Sequence, residues 1–210
     1  QKRLNEQYNS SSGRRALKDI PDSLRKMMTT LQAGLLALDP ATGAVMAWAG
    51  GIDFKTQPYD QILARRQLAS VFKPFIYAAA LEDGVEPCRY LDNDSITLSG
   101  FNDWSPENYN HSYGGKYSLA GALAQSMNIP TFSLYLMIGF DKVDRLWQDM
   151  GFSFPLTDMP SLAMGTAEAS MLEVARAYAA FANGGTIITP YIIESVKTSD
   201  GTVLWQYYQQ

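Results

Sequence analysis

Arg65-Arg66-Gln67-Leu68-Ala69-Ser70-Val71-Phe72-Lys73-Pro74-Phe75 is the stretch on which the reading of this chain turns. Ser70 and Lys73 stand three residues apart, which on a helix puts both side chains on one face. Pro74 has no N–H to give to the carbonyl four residues back, that of Ser70, so a helix through this stretch starts near Ser70. At a helix start the backbone N–H groups are unpaired and the positive end of the dipole favours a developing oxyanion. An alcohol is a weak nucleophile and needs a base. A lysine amine held neutral among apolar neighbours such as Val71, Phe72 and Phe75 supplies one. Against this stands the fact that a Ser with a Lys three residues later is commonplace on helices.

Outward from that stretch the elements alternate. Val71–Leu81 is an apolar run closed by Asp83-Gly84 and reads as a buried helix. Upstream, Leu35–Leu38 and Ala44–Ala49 flank Asp39-Pro40-Ala41-Thr42-Gly43, which is hairpin chemistry. Downstream, residues 84–117 are rich in Asn, Asp, Ser, Gly and Tyr without a sustained period, and predict a long irregular excursion. Helices are predicted over Leu119–Gln125, from Ile129-Pro130 to Gly139, and over Lys142–Met150 with Asp141 as N-cap. Ser170-Met171-Leu172-Glu173 is a capping-box pattern that opens a helix running to Ala182. Ile187–Val196 and Val203–Tyr207 read as strands around a Ser199-Asp200-Gly201 turn. The fold class is therefore α+β, with strands at both ends of a helical middle.

Composition narrows the function. The 210 residues are 46% apolar and 18% charged, a globular balance with enough chain for a sizeable core. One Cys and one His rule out an internal disulfide and any site built on several His or Cys ligands. Residues 1–30 hold seven bases and three acids, whereas residues 31–210 hold ten bases and eighteen acids. A basic linker over 1–30 thus precedes an acidic body over 31–210, and an acidic body disfavours nucleic-acid binding. The opening Gln points to a numbering that starts inside a longer protein, and no apolar run is long enough to cross a bilayer.

Ser126-Met127-Asn128, between one helix end and the next helix start, offers a hydroxyl and a carboxamide that can face one cleft. The same residues serve equally well as helix caps. Trp104 and Tyr109 either line that cleft or anchor their own loop. Arg65-Arg66 either neutralises a substrate carboxylate or is solvated. His111 reads as a surface residue and Cys88 as a small core or loop residue, neither as catalytic.

Taken together, Ser70-Val71-Phe72-Lys73, Ser126-Met127-Asn128, the Ala37-to-Gly43 hairpin with Gly50-Gly51, Trp104-Ser105-Pro106-Glu107-Asn108-Tyr109 and the Glu173-to-Gly185 segment resemble the transpeptidase domain of class A penicillin-binding proteins. The resemblance implies a penicillin-binding protein/β-lactamase-like fold, an antiparallel sheet with a helical subdomain. It implies a serine D,D-transpeptidase that cross-links peptidoglycan stem peptides through a Ser70 acyl-enzyme and is acylated by β-lactams. Lys73 is implied as base, Ser126 as proton relay, Asn128 as the group holding the substrate amide, and Trp104 and Tyr109 as cleft residues. No cofactor or metal is implied. A membrane anchor and a glycosyltransferase domain would lie outside this chain, at the extracytoplasmic face of the bacterial inner membrane.

Two departures accompany the resemblance. Leu68-Ala69 stands where the family has a small, Pro-Gly-like pair. The third family motif, Lys-Thr-Gly, has only Lys197-Thr198-Ser199 as a near match, beside turn residues, so that motif is expected beyond residue 210 and the fold is expected to be incomplete. A β-lactamase, a penicillin sensor and a catalytically silent binding or scaffold fragment remain alternative readings.

Overall fold

The protein is described by a computed structural model that covers Leu24, residues 29–55 and residues 57–208. The basic linker expected over 1–30 therefore lies, apart from Leu24, Thr29 and Thr30, outside the described residues.

The first hairpin forms as its turn chemistry requires. β1 (Leu35–Leu38) pairs antiparallel with β2 (Val45–Ala49), and Gly43 turns the chain at φ +79°. Asp39 closes this turn, accepting the Ala41 N–H at 2.8 Å. β3 (Arg65–Gln67) follows, and a single 3₁₀ turn over Ala69–Phe72 then carries Ser70 into α1 (Lys73–Glu82). The expected helix over 71–81 is thus two elements. Pro74 falls in the first turn of α1, where no N–H is needed, and the tighter turn ahead of it holds Ser70.

The excursion over 84–117 is less irregular than its composition suggests. β4 (Tyr90–Asp92) pairs antiparallel with β5 (Lys116–Ser118), which closes the whole segment into one loop. Ser118 then caps α2 (Leu119–Ala124), accepting the Gly121 N–H. α3 (Asn128–Ile138) begins two residues before Pro130, so Pro130 sits third in the helix rather than first. That position is still free of the need for an intrahelical donor. α4 (Phe140–Asp149) starts ahead of the expected Asp141 cap; Gly139 is the boundary residue and Asp141 lies within the first turn.

β6 (Glu168–Ser170) pairs antiparallel with β3 across more than a hundred residues of sequence, a pairing with no local signal. The capping box does open α5 (Met171–Ala182), with Ser170 and Glu173 bonded reciprocally. The strand expected over 187–196 shrinks to β7 (Ser195–Lys197), which pairs with β8 (Val203–Gln206). Before it, Tyr191 instead bridges Ala44 beside β2. Among the described residues the strands form four two-stranded ladders around the helices, in keeping with an α+β fold.

α1 runs through the middle, against α3 and α4. Phe72, Phe75 and Phe132 are fully buried and Trp147 almost so. Trp147 stacks on Phe152 at 3.5 Å between ring centres, and Phe75 meets both rings edge-on. Burying each such ring contributes about 1.5–3 kcal/mol. This packing sets the axis of α1 and so the place where its N-terminal end presents Ser70 and Lys73. No helix of the described residues is long and apolar enough to cross a membrane.

Candidate active site

Ser70 sits on an exposed 3₁₀ turn whose entry is tightly constrained. Leu68 N–H donates to Ala167 O and Ala69 N–H to Gly165 O, both at 2.9 Å. Ala69 is held at φ +48°, a left-handed conformation that costs a non-glycine residue about 1–2 kcal/mol. Gly165, at φ +78°, comes so close that a Cβ there would lie 1.9 Å from the Ala69 carbonyl oxygen. Only glycine at 165 lets the backbone of residue 69 approach this closely.

One turn along, Lys73 is 1% exposed. Burial pushes its amine down to about 8 from an ordinary 10.5. Three oxygens surround Nζ: the Ser126 carbonyl at 2.5 Å, Asn128 Oδ1 at 2.7 Å and Ser126 Oγ at 3.2 Å. Ser126 Oγ in turn lies 2.9 Å from Ser70 Oγ. The structure thus brings Ser70, Lys73, Ser126 and Asn128 together, with Ser126 standing between the Ser70 hydroxyl and the amine. Ser126 itself is left-handed at φ +52°, which turns both its carbonyl and its hydroxyl toward Lys73.

Neither Ser126 nor Asn128 caps a helix with its side chain. The cap of α3 comes from far away in sequence. Asn108 Oδ1 accepts the N–H groups of Asn128 (2.8 Å) and Ile129 (3.1 Å). Its amide nitrogen donates to Asn93 Oδ1 and the Ser112 carbonyl, which fixes the loop. Asn108 is 3% exposed, so these bonds are shielded from water. Asn128 has both ends of its amide engaged: Oδ1 accepts from Lys73 and Nδ2 donates to the Glu107 carbonyl at 2.6 Å. Each end keeps one further position, a second lone pair on Oδ1 and a second N–H on Nδ2, with which a substrate amide can bond.

A cleft of about 650 Å³ opens above Ser70, walled by Trp104, Glu107, Tyr109, Ser126, Asn128 and Met164 among others. Trp104 and Tyr109 are on its wall, and Trp104 is also anchored edge-on against Phe132. Sequence reasoning assigned no role to Asn108, Glu107 or Gly165. Asn108 carried a usable signal, a polar residue in a loop that closes on itself; Gly165 carried none.

Other candidates fall elsewhere. Arg65 lies over the Phe154 ring at 3.7 Å and bonds the Glu168 carbonyl and Glu173. Arg66 bonds Gln61. Both serve the scaffold behind the Ser70 turn. Lys197 belongs to the β7–β8 hairpin, where Thr198 bonds Asp200 and Thr202, and it is not part of the cleft wall. His111 is exposed, with Nδ1 3.3 Å from Glu107 Oε2, and Cys88 is exposed. Among the described residues no group of His, Cys, Asp or Glu is arranged to hold a metal ion.

The family described as penicillin binding protein transpeptidase domain matches residues 33–210. The chain is 37% identical over 182 residues to penicillin-binding protein 2D of Bacillus subtilis, an alignment covering 84% of this chain and 26% of that relative. Penicillin-binding protein 1A of Haemophilus influenzae superposes with a TM-score of 0.79 at 34% identity, over 85% of this chain and 27% of that one. The PonA1 protein of Mycobacterium tuberculosis in complex with penicillin V superposes at 0.73 with 25% identity, over 88% and 53%. The chain spans about a quarter of the length of the curated relatives it matches.

Proposed function

The chain belongs to the penicillin-binding protein transpeptidase family, and from that premise we propose that it is the transpeptidase part of a class A penicillin-binding protein. Its reaction is acyl transfer from a D-Ala-D-Ala stem peptide of peptidoglycan through a covalent intermediate on Ser70. The observation that carries this is the unbroken line Ser70 Oγ, Ser126 Oγ, Lys73 Nζ, with the amine buried.

The neutral amine has two N–H bonds and one lone pair. The shortest contacts of Nζ, to the Ser126 carbonyl and Asn128 Oδ1, take the two N–H bonds. The lone pair then faces Ser126 Oγ. As Ser70 Oγ attacks the D-Ala carbonyl, its proton passes to Ser126 and the Ser126 proton passes to Lys73. The reverse passage delivers a proton to the leaving D-Ala amine as the C–N bond breaks. A second amine then attacks the ester; the C–N bond forms, the bond to Ser70 Oγ breaks, and the amine's proton passes along the same line to restore the Ser70 hydroxyl. In this scheme the direct handover from Ser70 to Lys73 expected from the spacing is replaced by one through Ser126. The Ser70 N–H, on the strained turn, serves as an oxyanion donor.

The domain division, residues 31–210 as transpeptidase domain after a linker over 1–30, belongs to the same proposal. So do a glycosyltransferase domain in the parent protein, a membrane anchor outside this chain, and a place in the bacterial cell envelope facing away from the cytoplasm. The test is intact-mass analysis after incubation with a fluorescent penicillin. The expected result is a stable adduct of one penicillin that maps to Ser70 and is absent from Ser70→Ala. Steady hydrolysis would favour a β-lactamase. No adduct would favour a silent fragment.

A further inference from the structure

The cleft above Ser70 has a charge asymmetry that proton transfer does not use. Glu107 is the one side chain on its wall, among the described residues, that carries a formal charge. The Glu107 backbone is fixed at both sides. Its carbonyl accepts from Asn128 Nδ2 at 2.6 Å, and the next residue is the buried Asn108 that caps α3. The backbone that carries this carboxylate is therefore held in register with the residue that grips Lys73. Its side chain is 62% exposed, open to a ligand entering the cleft, with His111 beside Oε2.

Two aromatic rings share that wall. Tyr109 is 98% exposed, and Trp104 is anchored by Phe132. An aromatic face and a carboxylate both attract a cation. Arg65 and Arg66 are not on this wall and are engaged with the scaffold. The wall thus favours a positively charged ligand group.

We infer that Glu107, flanked by Trp104 and Tyr109, recognises a primary ammonium group on the acyl donor, close to the residue that carries the acylated carbonyl. This rests on the acyl-transfer reading of Ser70. The site ranks substrates with a free side-chain amine above those in which the amine is blocked. Because the carboxylate is largely solvated, the preference is modest, about two- to fivefold.

The experiment uses three penicillins that differ at one side-chain carbon: ampicillin with an ammonium, benzylpenicillin with hydrogen, and carbenicillin with a carboxylate. Second-order acylation rates are compared in the wild type, E107Q and E107K, at a pH where ampicillin is protonated. The ampicillin to benzylpenicillin ratio is expected to fall about two- to fivefold in E107Q. In E107K the order of ampicillin and carbenicillin is expected to move toward carbenicillin. Identical ratios in all three proteins would overturn the inference. A second measurement needs no acylation: Ser70→Ala is titrated by NMR with Nα-acetyl-Lys-D-Ala-D-Ala and with its Nα,Nε-diacetyl counterpart. The amine-bearing peptide is expected to bind more tightly, and the difference is expected to vanish when E107Q is added. Equal binding in Ser70→Ala overturns the inference, whereas failure of every penicillin to label Ser70 overturns only the functional reading beneath it.

Discussion

Gly165→Ala changes one hydrogen to a methyl group on a residue outside the proposed proton line, yet it should slow acylation at Ser70. The added Cβ would lie 1.9 Å from the Ala69 carbonyl oxygen and 2.4 Å from its carbon, where ordinary contact begins near 3.4 Å. The two backbones must then separate by about 1.5 Å. The Ala69 carbonyl and the Ser70 N–H belong to one peptide plane, so moving one moves the other. A displacement of about 1 Å at a reacting group costs about 10²-fold in rate. Loss of an oxyanion donor costs a similar ~10²–10³. Stability should also fall. Alanine at φ +78° costs about 1–2 kcal/mol and overpacking about 1–3 kcal/mol. Urea unfolding gives the stability change, and stopped-flow labelling with a fluorescent penicillin, corrected for folded fraction, gives the rate. A folded Gly165→Ala protein that labels within threefold of wild type would refute the argument that this contact sets the Ser70 geometry.

Burial of Lys73 predicts the pH profile. The amine loses its proton as pH rises through about 8, so acylation should climb about fiftyfold from pH 6 to pH 8 and then level off. Folding also favours the deprotonated amine, so stability should rise as pH climbs from about 8 toward 10.5. A flat acylation profile would remove Lys73 as the base. Glu173 predicts the acid limb. Burial pushes its carboxyl up, but hydrogen bonds from Ser170 and Ser153 outweigh burial and hold it at about 2 against an ordinary 4.5. Its contribution is full above the ordinary value and is lost as pH falls toward about 2. Glu173→Ala should lose about 2–4 kcal/mol near neutral pH, and its stability should fall less steeply in acid, read by urea melts across pH. An unchanged acid slope would refute the assignment.

The local grammar of the chain was legible wherever one segment answers to itself. The Asp39-to-Gly43 hairpin, the Ser170–Glu173 capping box, the helix ends at Asp83-Gly84 and Gly139, and the Ser70-to-Lys73 spacing all need only neighbours a few residues away. The family resemblance was legible for the same reason, since its motifs are short strings at characteristic intervals. The candidate residues on the Ser70 turn and the Ser126 loop, which the structure brings together, could be named from those strings.

What tertiary structure decided is how those strings meet. No local rule pairs Arg65–Gln67 with Glu168–Ser170, or sets Gly165 against Ala69, because each contact joins residues about a hundred positions apart. Sequence reasoning placed Lys73 next to Ser70 by helical spacing, but the fold puts Ser126 Oγ between them. It offered Ser126 and Asn128 as caps, whereas Asn108 caps that helix from a distant loop and releases Asn128 to hold Lys73. The apolar neighbours of Lys73 in its own string suggested a lowered basicity, but its realisation waits on burial, because water leaves the amine only once the core has closed.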